Sequence, residues 1–185
     1  MARLTRDDWI TGAFELLATG GVNDVRVEPL ARRLGVTKGS FYHHFADRQA
    51  LLDAVLLAWV RIDTDRIIEL VAAATQPVGD PIASLRQLAE LTIGTRTDFD
   101  GVETAIREWA GSDEAAALRC SAVDSRRLAY VRNLLIDAGV DEATADGRSQ
   151  VFYRVIIGEY TWRRYGGIPI DSAPVHDLVD WLAAT

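Results

Sequence analysis

The sequence predicts an all-α protein of about nine helices, and three observations support this fold class. Apolar residues recur with helical spacing along nearly all of the 185 residues. Thr or Asp residues suited to the N-cap precede several of these segments, and Gly or Pro residues end them. No alternating run of β-branched residues is long enough to predict a sheet.

The first two helices are predicted from their capping signals. Thr5 is expected to cap the first helix, because Asp8 stands three residues later and completes a capping box. Gly20 and Gly21 are expected to end that helix. A second, short helix spans about residues 27–34, and Gly35 ends it because glycine readily adopts the left-handed conformation that turns the chain.

The remaining helices follow from the same signals. Thr37 is expected to cap a third helix that runs to about Phe45. Asp47 is expected to cap a fourth, long helix from Arg48 to about Ala74. After a break at 76–81, helical spacing resumes. We expect further helices near residues 82–97, 102–110, 114–138, 142–165 and 174–184.

Residues 27–45 have the pattern of a helix-turn-helix motif. Five apolar residues fall where two short crossing helices and a supporting first helix would bury them: Leu30, Leu34, Val36, Phe41 and Phe45. Burying these leaves a polar face on the third helix, and a helix of this kind fits the major groove of double-stranded DNA. The polar face comprises Thr37, Lys38, Ser40, Tyr42, His43 and His44.

The distribution of charge is compatible with this interpretation. The chain has a net charge of −7, which by itself argues against binding to a polyanion. Residues 1–50, however, carry seven basic and six acidic groups, whereas residues 51–185 carry 13 basic and 21 acidic groups. The asymmetry fits an N-terminal DNA-binding module on an acidic body.

The sequence also argues against several other classes of protein. The single Cys120 forms no internal disulfide, and no pair of His residues has the i, i+4 spacing of a helical zinc site, so we expect no metal and no cofactor. The chain lacks a Gly-rich phosphate loop and the common hydrolase motifs, so we do not expect an enzyme. No apolar run reaches the ~18 residues of a membrane span, and the first eight residues lack the apolar segment of a signal peptide. We therefore expect a soluble cytoplasmic protein.

Residues 35–45, Gly-Val-Thr-Lys-Gly-Ser-Phe-Tyr-His-His-Phe, followed by Asp-Arg-Gln-Ala-Leu-Leu at 47–52, resemble the DNA-binding signature of TetR-family transcriptional regulators. The resemblance covers about residues 5–55. It implies a helix-turn-helix DNA-binding domain at 1–47 and a helical domain at 48–185 that dimerises and binds a small effector. It also implies DNA contacts by Arg26, Val27, Thr37, Lys38, Gly39, Ser40, Tyr42, His43, His44 and Arg48.

The last two predicted helices carry the candidate dimer interface. Two-fold pairing would set two recognition helices on one pseudo-palindromic operator. The same apolar stripes also fit an intramolecular core, and both interpretations remain open. The residues concerned are Val151, Phe152, Val155, Ile156, Gly158, Glu159 and Trp162 in one helix and Val175, Leu178, Val179, Trp181 and Leu182 in the other.

An effector pocket would be lined by apolar and aromatic side chains with a few polar groups. The candidates, each of which also fits a plain core position, are Trp59, Ile62, Leu88, Ile106, Trp109, Tyr130, Leu134, Phe152 and Tyr153, with Arg107, Glu108 or Glu159 as polar anchors.

The function that these features predict is a dimeric repressor that a small hydrophobic or aromatic effector releases from its operator. Movement of the fourth helix would link the effector to the spacing of the two recognition helices. The alternatives are a DNA-binding dimer that needs no ligand and, from a different class, a helical enzyme.

Overall fold

The computed structural model describes residues 4–74, 79–94 and 100–184, and all regular structure in those residues is helical. The predicted all-α fold class is therefore confirmed. The helices are α1 Arg6–Gly20, α2 Val27–Arg33, α3 Lys38–Phe41, α4 Arg48–Val60, α5 Arg66–Ala74, α6 Pro81–Ala89, α7 Asp100–Ala110, α8 Glu114–Asp137, α9 Glu142–Arg164 and α10 Ser172–Ala183.

Two π-helical turns interrupt the predicted pattern. Arg61–Asp65 joins α4 to α5, so the predicted fourth helix is present but changes its hydrogen-bond register in the middle. Glu90–Gly94 continues α6 in the same way. Counting α4 and α5 as one gives the predicted nine helices over the described residues. The predicted break at 76–78 and the end of the helix predicted at 82–97 fall outside those residues.

The capping predictions hold at α1 and α4. The backbone N–H of Asp8 donates to Thr5 Oγ1 at 3.2 Å, and the Thr5 N–H donates to Asp8 Oδ2 at 2.6 Å. This backbone donor, with the Thr5 hydroxyl, holds the pKa of Asp8 below its ordinary value because both stabilise the carboxylate. At α4, Asp47 Oδ1 accepts from the Ala50 N–H at 2.8 Å.

The third helix departs from its prediction in two ways. It ends at Phe41 rather than near Phe45, and the N–H groups of His44 and Phe45 instead donate to the Phe41 carbonyl, at 2.9 and 3.0 Å, in the turn that follows. Thr37 occupies the N-cap position, but its side chain makes no capping hydrogen bond. The α3 helix has only four residues, and packing from Phe41 therefore has to hold it in place.

The chain divides into two compact units, the first comprising 1–61 and 98–120 and the second 62–97 and 121–185. In the first unit, Trp9 and Phe41 are fully buried, and their rings meet edge to face with centroids 5.4 Å apart. Leu30 and Phe45 join them, as predicted, whereas Leu34 and Val36 are only partly buried.

In the first unit, two glycines allow neighbouring helices to approach closely. A Cβ at Gly12 would lie 2.9 Å from a Leu30 methyl group, so α1 and α2 approach closely there. The α7 helix packs along α1, and a Cβ at Gly101 would lie 3.1 Å from that of Ala18. The first unit thus contains the predicted 1–47 domain together with α4 and α7, while the 47/48 boundary remains a prediction.

The second unit is built around α6, α8, α9 and α10. Its core contains several side chains from the stripes that the sequence analysis left open between a dimer interface and an intramolecular core. Those that pack inside are Phe152, Ile156, Val175, Val179 and Leu182. Among the described residues, no helix is both long and apolar enough to span a bilayer.

Candidate functional site

The outer face of α3 and its following turn presents polar groups to solvent. Lys38 and His43 are exposed, and the ring of Tyr42 is 53% exposed. Thr37 and Gly39 are also exposed, whereas Ser40 and His44 are partly buried. Because Phe41 points inward with no exposed surface, its neighbour Tyr42 is held facing outward, as predicted.

An open groove of about 340 Å³ runs between α2 and α3. Lys38 Nζ donates to Glu28 Oε1 across it at 2.9 Å. This hydrogen bond and the attraction between the charges lower the pKa of Glu28 and raise that of Lys38. The groove is lined by Arg26, Val27, Glu28, Pro29, Arg32, Lys38 and Tyr42.

Arg48 has an architectural role that the sequence analysis missed. Its Nε donates to the Val25 carbonyl at 2.6 Å, and its Nη2 donates to the Val22 carbonyl at 2.6 Å. Two of its donor groups are thus used to hold the short helical turn Val22–Asp24 that precedes α2. No sequence signal distinguishes this role from a contact with phosphate.

A small, partly open cavity of about 40 Å³ lies within the second unit. The α8 and α9 helices supply one wall, and α5, α6 and the two π-helical turns supply the others. Its lining is mostly apolar, with a few polar groups, as is usual for small-molecule sites. The lining residues are Asp63, Thr64, Ile67, Ile68, Leu88, Thr92, Arg127, Tyr130, Val131, Tyr153, Ile156 and Tyr160.

The polar groups of the cavity are preorganised by hydrogen bonds. Arg127 Nε donates to Thr64 Oγ1 at 3.0 Å, and its Nη2 donates to the Asp63 carbonyl at 3.3 Å. The Tyr153 hydroxyl donates to Asp124 Oδ1 at 2.6 Å. Burial raises the pKa of Tyr130, because the apolar surroundings disfavour the charged phenolate.

The comparisons with known proteins agree with this geometry. Residues 10–55 match the sequence model of a family described as bacterial regulatory proteins, tetR family. The tetracycline repressor protein class D of Escherichia coli is 30% identical to the chain over 118 residues, which are 58% of this chain and 54% of the repressor. The N-terminal helix-turn-helix region at residues 10–55 is of the TetR type.

Two further transcriptional regulators extend the comparison. The HTH-type transcriptional regulator BetI of Yersinia pestis (strain Pestoides F) is 28% identical over 130 residues, 69% of this chain and 65% of BetI. The matched region thus spans about half the length of the tetracycline repressor and just under two thirds of BetI. A solved structure from Saccharomonospora viridis, described as a transcriptional regulator in complex with choline, has a TM-score of 0.77 at 16% identity and covers 95% of this chain and 93% of that chain. At that identity the likeness is one of fold.

The cavity of the second unit contains only some of the predicted effector residues. Leu88, Tyr130 and Tyr153 line it, whereas the predicted Ile62 and Phe152 do not. Sequence spacing could have suggested its other members on α8 and α9, because Arg127 and Tyr130, like Tyr153, Ile156 and Tyr160, recur at three or four residues. Asp63, Thr64 and Thr92 lie in π-helical turns, which carry no signal in the sequence.

Three predicted effector residues belong to the first unit instead. Trp59, Ile106 and Trp109 are buried there. The Trp59 Nε1–H donates at 2.9 Å to Glu103, a carboxylate that is 1% exposed and also accepts from Arg107 Nε at 2.7 Å.

Glu159 is likewise committed to a partner in the fold. Its carboxylate accepts from Arg163 Nε at 2.7 Å and from the Ile170 N–H at 3.2 Å, and both charged side chains are almost fully buried. Glu159 is therefore a structural residue that fixes the segment after α9, not a group lining the cavity.

Part of the predicted apolar stripe on α9 is exposed to solvent. Val151 is 43% exposed and Trp162 is 61% exposed, and Trp181 on α10 is 55% exposed. Gly158 lies on the same side of α9, and a Cβ there would meet nothing within 4 Å. Burying such aromatic groups against a second copy would remove apolar surface from water.

Proposed function

We propose that the protein is a homodimeric DNA-binding transcriptional repressor in the cytoplasm, released from a pseudo-palindromic operator by a small hydrophobic or aromatic effector. The observation that carries the proposal is the outer face of α3, where Lys38, Tyr42 and His43 are exposed over a buried Phe41. The match of residues 10–55 to the tetR-family model and the charge distribution support it.

The proposed contacts divide by chemistry. Lys38 and Tyr42 donate to phosphate oxygens, which positions the head on any sequence. The base-reading contacts come from the exposed side chains and backbone of α3 and its turn, and Arg26 and Val27 approach from the start of α2. Arg48 acts chiefly by holding the turn before α2, since two of its donors bind backbone carbonyls. The base-reading group comprises Thr37, Gly39, Ser40, His43 and His44.

The proposal is tested by selecting bound fragments from genomic DNA at moderate salt and measuring affinity for the selected operator. Tyr42→Phe and Lys38→Ala are expected to weaken binding at all sequences, and Lys38→Ala should reduce the slope of log K against log salt by about 0.9. Arg33→Gln is the matched control, because Arg33 is an exposed cation of the same head that pairs with Glu15 at 2.6 Å. If Lys38→Ala and Arg33→Gln weaken binding equally, Lys38 acts only through the overall charge of the head and makes no specific phosphate contact. If the selection recovers no DNA fragment, DNA binding is refuted.

The effector part of the proposal rests on the cavity of the second unit. Its isoleucine, leucine and valine side chains suit an apolar body, and the Tyr130 phenol can hydrogen-bond one polar group. Its apolar lining supports an effector, but a volume of about 40 Å³ is not the large closed cavity that would separate this function from a ligand-independent dimer, and an effector of more than a few atoms must widen it on binding. An effector acts by binding better to a state with low operator affinity, and its effect cannot exceed that difference in affinity.

Dimerisation is proposed through the exposed residues of α9 and α10, Val151, Trp162 and Trp181. A single helix-turn-helix reads only a few base pairs, whereas two related by a two-fold axis read both halves of an operator. Sedimentation at micromolar concentration tests this: a monomer at all concentrations, with and without operator, would refute the dimer.

A further inference from the structure

The groove between α2 and α3 carries one negative charge among positive ones. Of the described residues that line it, Glu28 is the acidic group, while Arg26, Arg32 and Lys38 are cationic. Glu28 lies on α2 and Lys38 begins α3, so the pair crosses the two helices of the motif. A surface built to meet phosphates therefore contains a carboxylate that phosphates repel.

The Glu28 and Lys38 pair contributes little to the stability of the fold. The two side chains are 68% and 52% exposed, and exposed ion pairs add little to the free energy of unfolding because water screens them. Buried Leu30 and Phe41 already hold α2 and α3 in place. The structural effect of the pair is to fix the position of the Lys38 ammonium, whose only described acceptor is Glu28 Oε1 at 2.9 Å.

We propose that Glu28 sets the DNA affinity of the head by competing with phosphate for the Lys38 ammonium. This inference rests on the proposed DNA-binding function. In the free protein the carboxylate holds Lys38; on DNA the ammonium leaves Glu28 for a phosphate oxygen, and the carboxylate stays near the negative duplex. Glu28 is thus a positioning residue that acts through Lys38 and restrains binding at every sequence.

The first test is the affinity of Glu28→Gln for operator and for unrelated DNA. Tightening of about two- to fivefold is expected for both, the range that corresponds to the loss of an exposed ion pair. The slope of log K against log salt should change by much less than the value of about 0.9 for one phosphate contact, because Lys38 neutralises the same phosphate in both proteins. Glu15→Gln is the matched control: it removes an equal charge from another exposed pair of the head, outside the groove.

A double-mutant cycle separates competition from long-range repulsion. Lys38→Ala is expected to lose about two- to fivefold more affinity in the Glu28→Gln background than in the unchanged protein, because only the latter must break the pair on binding. If the effects of Glu28→Gln and Lys38→Ala on the binding free energy are strictly additive, the proposed competition is overturned. A loss of affinity in Glu28→Gln at one operator position would also overturn it, since that would make Glu28 a base-reading residue.

A measurement without DNA keeps this proposal distinct from the proposed function. Lys38 is the only lysine in the sequence, so reductive methylation with carbon-13 formaldehyde gives one side-chain amine signal besides that of the N-terminus. The pKa of that amine should fall in Glu28→Gln, because the pair raises it. An unchanged pKa would show that the pair is absent in solution. DNA binding by the unchanged protein with no effect of Glu28→Gln overturns only the role of Glu28, whereas no DNA binding at all overturns both.

Discussion

Phe41 and Tyr42 are neighbours in the chain, but they are expected to respond oppositely to substitution. Phe41 has no exposed surface, and its ring lies 5.4 Å from Trp9 and 5.5 Å from Phe45. Truncating a buried Phe to Ala costs about 3–5 kcal/mol through lost burial and the cavity left behind. The lost ring contacts place Phe41→Ala in the upper part of that range, about 4 kcal/mol.

This loss is a large part of the stability of an ordinary domain, which is about 5–15 kcal/mol. The melting temperature should fall by about 8–16 °C, at about 2–4 °C per kcal/mol for a chain of this size. Tyr42→Ala should cost under about 1.5 kcal/mol, because it gives up chiefly the edge contact of its half-exposed ring with Phe41 at 5.3 Å. Tyr42→Phe should leave the melting temperature unchanged.

Urea unfolding followed by circular dichroism measures the stability of these variants, and operator titration measures their DNA binding. Phe41→Ala should be unstable, while Tyr42→Phe should be stable and bind DNA weakly. The reasoning is refuted if Phe41→Ala unfolds within about 1 kcal/mol of the unchanged protein, since a ring at this position would then not hold the short α3 in place.

Three further substitutions test other parts of the structure. Asp8→Asn should destabilise α1 at neutral pH, because the Thr5 N–H stabilises the Asp8 carboxylate and holds its pKa below 3.8. The Asp8 contribution is present above the unfolded pKa and is lost as the pH falls through the lower folded pKa, so the melting temperatures of the two proteins should converge as the pH is lowered. Val131→Phe should fill part of the cavity, at an overpacking cost of about 1–3 kcal/mol in the free energy of unfolding. Operator affinity should be kept, but effector should no longer change it. An unaltered response to effector would place the effector site elsewhere. Gly158→Arg should raise monomer stability by up to about 1 kcal/mol, because Arg favours a helix interior and no atom lies within 4 Å of a Cβ at this position. Sedimentation should nevertheless show loss of the dimer. A variant that stays dimeric would show that the interface does not include this part of α9.

Local chemistry explains which parts of the head were predictable. The capping box of Thr5 and Asp8 and the positive φ of Gly35 (68°) involve residues that are near one another in the chain, so the sequence signals them directly. The burial of Phe41 follows from the same short segment. The end of α3 was predicted wrongly, because helical spacing continues to Phe45 while the backbone tightens into turns after Phe41.

The parts that sequence reasoning missed depend on residues far apart in the chain. Arg48 binds carbonyls more than twenty residues earlier, and Arg127 binds Thr64 from another helix. Glu159 looked like a polar anchor for a ligand, but it is paired with Arg163 four residues later. A periodic apolar pattern predicts which face of a helix is buried, but it does not predict which of the buried residues line a cavity.

The contact of Gly101 with Ala18 limits how the DNA-binding part can be separated from the rest of the protein. A fragment that ends at Asp47 would lack α7, and the surface of α1 that packs against α7 would be exposed to solvent. A minimal DNA-binding fragment would therefore have to be discontinuous, with 100–120 supplied through a linker or as a second peptide. A synthetic peptide with the sequence of α7 should therefore compete with the natural α7 for binding to α1.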